Sequence, residues 1–557
     1  MAPASLLTLL LSACRSQPPI IVECDTANKG STEGDDTSTD SALEPSYEPI
    51  VDADNDGYPS STDCDDFNPH IHPNHPELCK DSIDSDCDGQ PDSDLCTLTI
   101  DAAQVLQGTV SNAGFGRQVT HLPYSTTNPN TPLQASLAIS ANYDSGGIVY
   151  LFRENIHTAS RDSQAQATLR LSNSSLFGTL VEGANSLRHS DVTGDGINDL
   201  IVTAPGTSNE IGQVHIYEGP LLLNEATLTP VQSLAWTSEL DAIRSIELID
   251  WNQDSIMDVL IGHSRADNNG TDSGSIRVYL GKNPNGLGQD STGVQDLSTG
   301  LRLDGSNPSD LFGHCIRNLG DINGDGLDDL AVSSYRSTSS TGHFHAGKVS
   351  ILMSPLSEVT SIEGARHLEG RVDQGYFGSS IERIGDMNGD GVADIAIGSI
   401  GYDQKGAVFL LSGNASDWCM DCTVSEIAFA TIIGSETNDN FGRNILNLED
   451  INGDGFEDML IGTKDASIEA NKTGAAYLYF GPLTGTLNNQ YHGRISGKVE
   501  QAQLSVDMER IDVDGDTIQD LVLSSRKDSE PVDEGRVYFF SSQLFQPNPL
   551  GPDSAND

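Results

Sequence analysis

The chain has 557 residues, with 82 Asp or Glu against 29 Lys or Arg, a formal net charge of −53. So acidic a surface repels nucleic acid and anionic lipid, and neither is an expected partner. The length is ample for a large core, and the one long apolar stretch near a terminus, Leu6 to Ala13, is too short to cross a bilayer.

Residues 1–14 read as the end of an export signal. Leu11-Ser12-Ala13-Cys14 resembles the lipobox of bacterial lipoproteins, although no Lys or Arg precedes the apolar run. That resemblance implies lipidation at Cys14, membrane attachment only through the lipid anchor, and, with Arg15 rather than Asp following, an outer-membrane or cell-surface location. Plain secretion is the alternative. Residues 15–50 are rich in Ser, Thr, Asp, Glu and Pro and lack apolar periodicity, so a disordered acidic stalk is predicted.

Residues 51–96 form a distinct Cys/Asp-rich module. Asp52, Asp54 and Asp56, with Asp63 as twelfth residue, space their oxygens as in an EF-hand-like loop, and Asp84, Asp86, Asp88 and Asp92 make a second. The arrangement resembles the metal-binding motif of bacterial surface proteins and, more distantly, the thrombospondin type 3 repeat. So little chain holds little core, so calcium and disulfides are expected to hold the module together. His70, His72 and His75 lie within it as a transition-metal site or a polar turn. The nine cysteines are Cys14, Cys24, Cys64, Cys79, Cys87, Cys96, Cys315, Cys419 and Cys422. With Cys14 lipidated, the even remainder suits disulfides; Cys64, Cys79, Cys87 and Cys96 are expected to pair among themselves, and Cys419 with Cys422 in a loop.

From 97 onward one nine-residue pattern recurs. Carboxylate, amide or hydroxyl oxygens stand at positions 1, 3, 5 and 9 in Asp191/Thr193/Asp195/Asp199, Asp250/Asn252/Asp254/Asp258, Asp321/Asn323/Asp325/Asp329, Asp386/Asn388/Asp390/Asp394, Asp450/Asn452/Asp454/Asp458 and Asp512/Asp514/Asp516/Asp520. Odd positions of a tight turn converge on one point, which suits a hard cation, and Ca2+ is the expected cofactor in a structural role. The first aspartates are spaced by 59 to 71 residues, the mark of a repeat architecture. Counting back one period aligns Leu137-Ala138-Ile139 with Leu200-Ile201-Val202 and gives a seventh unit, whose loop from Asn128 to Ser136 lacks carboxylates. In unit six, Phe429 to Ile433, the segment opened by Phe441-Gly442, Asp458 to Gly462 and Gly474 to Phe480 are read as four strands. Four strands in each of seven units predict an all-β, seven-bladed β-propeller over 97–545, with a disordered tail at 546–557. No strand follows Val537 to Phe540, and Ala103 to Gly108 occupies the slot before Phe115 that Leu301 to Gly305 occupies before Phe312. The N-terminal strand is therefore expected to complete the last blade.

The pairs Phe115-Gly116, Phe177-Gly178, Phe312-Gly313, Phe377-Gly378 and Phe441-Gly442, each one strand before an oxygen-rich loop or its equivalent, resemble FG-GAP repeats as in the propeller of integrin α-chains. Units three and seven depart from the pattern, with Asp241-Ala242 and Leu504-Ser505 in place of the pair. The resemblance implies metal loops on one face and partner-binding loops on the other, between second and third strands. On that second face Tyr335, Arg336, His343, Phe344 and His345 are the candidate ligand contacts, being residue types that anchor interfaces. There is no Gly-x-Ser-x-Gly elbow, His-Glu-x-x-His or phosphate-binding loop in the chain, and the loop carboxylates are dispersed around a ring. The expectation is a monomeric, calcium-dependent surface adhesion or scaffold protein that recognises extracellular protein or glycan and is not an enzyme. The alternative is a surface polysaccharide-degrading enzyme of the lyase-like propeller type.

Overall fold

The computed structural model describes residues 97–99 and most of 103–540; the longer stretches outside the description are 123–136, 153–164, 170–186, 205–212, 222–229, 236–242, 282–293, 513–518 and 528–533. Residues 1–96 and 541–557 lie outside it as well, and with them the expected signal, stalk, disulfide/calcium-held module and tail.

Two short strands, β1 (Thr97–Thr99) and β2 (Gln104–Gln107), precede the repeats. The first sheet is β3 (Phe115–His121), β4 (Leu137–Ala141), β5 (Ile148–Phe152) and β6 (Ala167–Leu169). The second is β7 (Leu187–Ser190), β8 (Asp199–Ala204), β9 (Gln213–Tyr217) and β10 (Gln232–Ala235). The third is β11 (Ser245–Ile249), β12 (Asp258–His263), β13 (Ser275–Tyr279) and β15 (Leu301–Asp304), with β14 (Val294–Asp296) pairing in parallel with β10 of the sheet before. The fourth is β16 (Phe312–Gly320), β17 (Asp329–Ser334), β18 (Lys348–Leu352) and β19 (Arg366–Glu369). The fifth is β20 (Phe377–Arg383), β21 (Ile395–Ser399), β22 (Ala407–Leu411) and β23 (Ala428–Ile433). The sixth is β24 (Asn444–Glu449), β25 (Asp458–Thr463), β26 (Ala475–Tyr479) and β28 (Gly493–Ser496), while β27 (Gly485–Asn488) joins β23 in parallel and β1 joins β28. The last combines β29 (Leu504–Ile511), β30 (Asp520–Ser525) and β31 (Arg536–Phe540) with β2.

The architecture is an all-β propeller with four-stranded blades. Among the described residues, six blades each take their four main strands from one pass of the chain, and one further sheet is composite. The expectation of seven like units resolves into these six self-contained blades and the composite sheet. In that sheet Gln104 to Gln107 pair antiparallel with Phe539 to Arg536. Gly108 then donates its N–H to Gly535 O at 3.1 Å, the bond that Gly305 makes to Gly274 and Gly370 to Gly347 elsewhere. One expected assignment is corrected: Ala428–Ile433 does not open unit six, because it pairs with β22 as the outer strand of the preceding blade. The reading failed because period fixes the length of a unit but not its phase, which only pairing defines.

Burial explains the composition of the strands. The second strands, such as Leu330-Ala331-Val332 and Met459-Leu460-Ile461, are apolar at consecutive positions because sheets cover both their faces. The outer strand β28 alternates between buried and partly exposed positions. First strands of successive sheets pack on one another in a cycle, β3 on β7, then β11, β16, β20, β24, β29 and back to β3, so these strands line the axis. Apolar clusters lie between neighbouring sheets: Ile249, Leu260 and Leu303 meet Phe312, Ile316 and Leu330, for example.

The Phe-Gly corner is the clasp between sheets. Phe312 and Phe377 are fully buried and donate their N–H groups to Ser273 O and Ala346 O of the preceding blade. A Cβ on Gly347 would lie 2.2 Å from Phe377 O, so only glycine allows this approach. In the last blade Leu504 takes the phenylalanine's place, donating to Thr473 O at 3.0 Å.

On the axis, Arg317 ties three blades together. It pairs with Glu247 of β11 at 3.4 Å and Glu382 of β20 at 2.7 Å, and its Nε donates to Ile381 O at 2.9 Å. Replacing Arg317 by Leu leaves two carboxylates facing each other with little water, which costs on the order of 3 kcal/mol. Urea unfolding of the R317L variant should show that loss, and adding Glu382→Gln should recover part of it.

Candidate functional site

Each oxygen-rich turn joins the first strand of a blade to the second. The turns use their two outer aspartates differently. The position-1 carboxylate is accessible and wraps the turn's own backbone: Asp321 Oδ1 accepts from Gly324 N at 2.7 Å and Asp325 N at 3.1 Å, and Oδ2 from Gly326 N at 2.7 Å. Asp386 repeats this with Gly389, Asp390 and Gly391, and Asp191 with Gly194, Asp195 and Gly196. In the turn without glycines, Asp250 still accepts from Asp254 N and Ser255 N, and Ser255 takes a φ of +69° that elsewhere falls to glycine. Hydrogen bonding to the Gly326 N–H is the main reason Asp321 sits below the usual carboxylate range.

The position-9 aspartates are buried. Asp199, Asp258, Asp329, Asp394 and Asp458 are all fully inaccessible. One oxygen accepts the position-2 N–H, as from Val192 at 3.0 Å, Trp251 at 2.8 Å, Ile322 at 3.1 Å, Met387 at 3.0 Å and Ile451 at 2.9 Å. The other accepts the N–H of the second residue after the third strand: Gly219, Gly281, Ser354, Gly413 or Gly481. Four of these five are glycine for a steric reason. A Cβ on Gly413 would lie 1.7 Å from Ala393 O, and one on Gly281 2.4 Å from Met257 O. Sequence reasoning missed this pairing, although a Gly two residues past the third strand in four of the five blades carried the signal.

In two turns the position-3 amide reaches toward the buried aspartate. Asn388 Nδ2 lies 3.0 Å from both Asp390 Oδ2 and Asp394 Oδ1, and Asn323 Nδ2 lies 3.2 Å from Asp329 Oδ1. The position-3 side chains of two other turns also engage carboxylates. Thr193 is buried, its Oγ1 donates to Asp199 Oδ1 at 3.4 Å, and its N–H goes to Asp199 Oδ2 at 3.0 Å. The hydroxyl beside the buried carboxylate serves as its donor. Asn252 is half-buried and folds onto its neighbour: Nδ2 lies 3.1 Å from Asp254 Oδ2, and Oδ1 accepts the Asp254 N–H at 3.1 Å. Asn323 Oδ1 and Asn388 Oδ1 accept the position-5 N–H in the same way, at 2.9 and 2.8 Å.

Among the described residues no three acidic, His or Cys side chains converge as a metal cluster. The donor set of the Asn323 and Asn388 turns nevertheless fits a hard dication: all its oxygens lie on one turn, and rotating the bridging amide exchanges its N–H2 for an acceptor oxygen. Asn452, Asp454, Asp514 and Asp516 lie outside the described residues, as do Asp52, Asp54, Asp56, Asp63, Asp84, Asp86, Asp88 and Asp92, the three histidines of the N-terminal module and Cys14.

Burial without a bound cation raises the position-9 carboxyls, Asp199 to about 6 and Asp258 and Asp394 to about 7, with Asp329 also raised. The folded chain then holds protons that the unfolded chain sheds above about pH 4, so stability falls as pH rises from about 4 to 7. In chelator, the unfolding midpoint should be higher at the acid end of that window than at its neutral end. Asp258→Asn with Asp394→Asn should flatten the slope; a slope unchanged in the double variant would contradict the assignment.

At the other end of the blades the residues flagged in the loop between β17 and β18 form an aromatic stack. Tyr335 lies on His314 with ring centroids 3.7 Å apart and near Tyr376 at 5.7 Å. His345 adjoins Tyr376 at 6.1 Å and stacks on Phe344 at 3.6 Å, and the Phe344 ring is 55% exposed. Arg336 reaches over Tyr335, whereas His343 turns aside to Asp373 at 3.3 Å. Sequence reasoning missed His314 and Tyr376, which come from the starts of β16 and β20. Cys315 beside them, to which sequence analysis assigned no partner, is a free, buried thiol. Cys419 and Cys422 lie outside the described residues.

The FG-GAP repeat family model matches residues 184–217, 319–352 and 441–479, and the Cu-binding MopE metal-binding motif model matches 63–93. The chain is 30% identical over 174 residues to integrin alpha-5 of Xenopus laevis, which covers 30% of this chain and 16% of that one. It is 26% identical over 286 residues to phosphatidylinositol-glycan-specific phospholipase D of Dictyostelium discoideum, 46% of this chain and 29% of that one. The match thus spans under a third of either relative's own length. Among solved structures, the WD40 domain of Toxoplasma gondii coronin aligns over 78% of this chain and 88% of its own at 10% identity, with a TM-score of 0.39. The chain carries FG-GAP repeats and a metal-binding motif, and its propeller is similar to those repeats in integrin α-chains. Extracellular-type modules of this kind suggest an exported or surface protein, and no helix among the described residues is long and apolar enough to cross a membrane. The expectation that the chain is not an enzyme is corrected: a relative named as a phospholipase D aligns over almost half of it. Motif absence misled that reading, since missing signatures of other catalytic families say nothing about this one.

Proposed function

We propose that the chain is an exported, calcium-dependent binding protein whose oxygen-lined turns hold Ca2+ and whose opposite loop face engages an extracellular protein or glycan. The proposal includes a closed ring of seven blades, attachment through lipid at Cys14, and a monomeric state. The observation that carries it is the segregation of chemistry: accessible carboxylates stand at one end of the blades, and stacked aromatic and basic side chains at the other. With the metal bound, its double charge offsets carboxylates that otherwise share one turn. Asp321, Asn323, Asp325 and Asp329, and the matching residues from Asp386 to Asp394, would hold it. The chain's own part is to fix those oxygens by backbone N–H groups before the cation arrives.

A ligand that binds only the folded state stabilises it by about 2.7 kcal/mol per site at a hundredfold excess over its dissociation constant. Calcium should therefore raise the melting temperature by about 5 °C or more relative to excess chelator. Asp321→Ala with Asp386→Ala should reduce that gain; equal melting temperatures with and without calcium would refute the reading. Binding to glycan and protein arrays should require the calcium-loaded form. The phospholipase D match favours a second reading, in which this propeller serves an activity on a phosphatidylinositol-linked glycan. Release of such a glycan from vesicles by the purified chain would support that instead.

A further inference from the structure

Between the fourth and fifth blades, at the end away from the oxygen-lined turns, lies a cavity of about 150 Å³. Ala346, Phe409 and Val424 form its interior and are buried, and Val372 and Tyr402 are its half-buried walls. The cavity follows from how the blades meet. Strands β1, β14 and β27 each pair in parallel with the outer strand of a neighbouring sheet. On β19 the same parallel place is taken by Thr423, which bridges to Glu369, and the chain then leaves it as one helical turn, Val424–Ile427. Thr423, Val424 and Ser425 thus border the gap between the blades without filling it.

The lining selects the guest. Its serine and threonine hydroxyls are already engaged: Ser399 Oγ donates to Gly375 O at 2.7 Å, Thr423 Oγ1 donates to Glu426 Oε2 at 2.7 Å, and Ser425 Oγ lies 3.2 Å from Thr423 Oγ1. A sugar entering here gives up its water for walls that offer little in exchange, whereas an apolar side chain loses no hydrogen bond. An apolar space of this size takes one aromatic or branched side chain. The rim differs from the interior. Glu369 Oε2 accepts the N–H of Ser340 at 2.8 Å and its hydroxyl at 2.6 Å, which ties that carboxylate to the neighbouring loop. Arg371 is exposed, and among the described residues no ion pair or hydrogen bond engages its guanidinium. Glu426, the acid its charge bears on, is held by the Thr423 N–H and hydroxyl instead. In a chain of net charge −53, a free guanidinium beside an apolar cavity favours a guest that brings a carboxylate. The linker that carries Arg371 and Val372 also holds the β17–β18 loop: Phe344 N–H goes to Asp373 Oδ1 at 3.0 Å, and Gln374 N–H to Phe344 O at 2.7 Å. The cavity mouth and the exposed Phe344 ring therefore stand on one fixed stretch of the loop face.

We propose that this cavity anchors an extended segment of a partner protein, one aromatic or branched apolar side chain filling it and a carboxylate two residues away pairing with Arg371. Residues two apart in an extended chain point to the same side, about 7 Å from each other, so one backbone presents both groups. The inference rests on the reading of this face as the ligand-binding one and chooses protein over glycan. The test is binding of the full calcium-loaded chain to an array of acetylated, amidated hexapeptides Gly-Ser-X-Ser-Z-Gly and Gly-Ser-Z-Ser-X-Gly, with X and Z each varied. Phe, Leu or Ile at X should bind about tenfold or more better than Ser, and Asp or Glu at Z better than Gln. Arg371→Glu should exchange the acidic preference at Z for a basic one and leave the preference at X. Val372→Trp, on a half-buried wall, should remove the preference at X. Arg371 is exposed, so R371E carries the test should V372W fail to fold. Indifference to X, an apolar preference unchanged in V372W, or an acidic preference that survives R371E would each overturn the proposal. A calcium-dependent array ligand, protein or glycan, that binds both variants unimpaired sinks this inference alone; no such ligand at all sinks the broader reading with it.

Discussion

A buried carboxyl group at the ninth position of the turn ties together five of the blades, those of Asp199, Asp258, Asp329, Asp394 and Asp458. Asp394, taken as the example, closes its own turn through Met387 N–H and reaches the end of the third strand through Gly413 N–H. It thereby fixes three consecutive strands of a blade at one end, where side-chain packing is interrupted by a polar loop. A buried carboxyl group keeps such a place only when its oxygens have donors, since buried polar atoms without partners cost a few kcal/mol. The steric demand at Gly413 follows from the same requirement, because the donor must approach the turn more closely than a Cβ permits.

This constraint divides the molecule chemically. At the turn end backbone N–H groups are committed to carboxylates, so the accessible oxygens of positions 1 and 5 are held in place before any ion is bound. At the opposite end the Phe-Gly clasp fixes the spacing of neighbouring sheets and leaves the following residue at the axis. There the repeat imposes no residue type, and Arg244, His314, Ser379 and Arg443 differ. A ring with one repeated end and one variable end lets residues change at the variable end without disturbing the turns.

Much of the fold was legible because it is periodic. The oxygen spacing in Asp321 to Asp329, the apolar run after it and the slot shared by Gly108 and Gly305 each survive as local pattern, and the structure realises them as turn, second strand and closing clasp. What was not legible depends on contacts between units. The phase of Ala428–Ile433 and the fifth-strand pairings of β1, β14 and β27 are set by neighbours, not by the segment's own composition. At the candidate sites the loop residues Tyr335, Phe344 and His345 stood out as aromatic or basic, but His314 and Tyr376 join them only because ring curvature brings the starts of β16 and β20 alongside. The distinct roles of first and ninth aspartate were likewise hidden, since the spacing that suits a cation is the same for an exposed and a buried carboxylate.

The central claim, that the repeated turns are cation sites built into the propeller, is most directly tested by counting ions. Elemental analysis of the purified chain, dialysed at micromolar free calcium and compared with a form in which Asp191, Asp321, Asp386 and Asp450 are all alanine, should show several calcium ions per chain in the first and a loss of about four in the second. An equal calcium content in the two proteins, or none in either, would contradict the account.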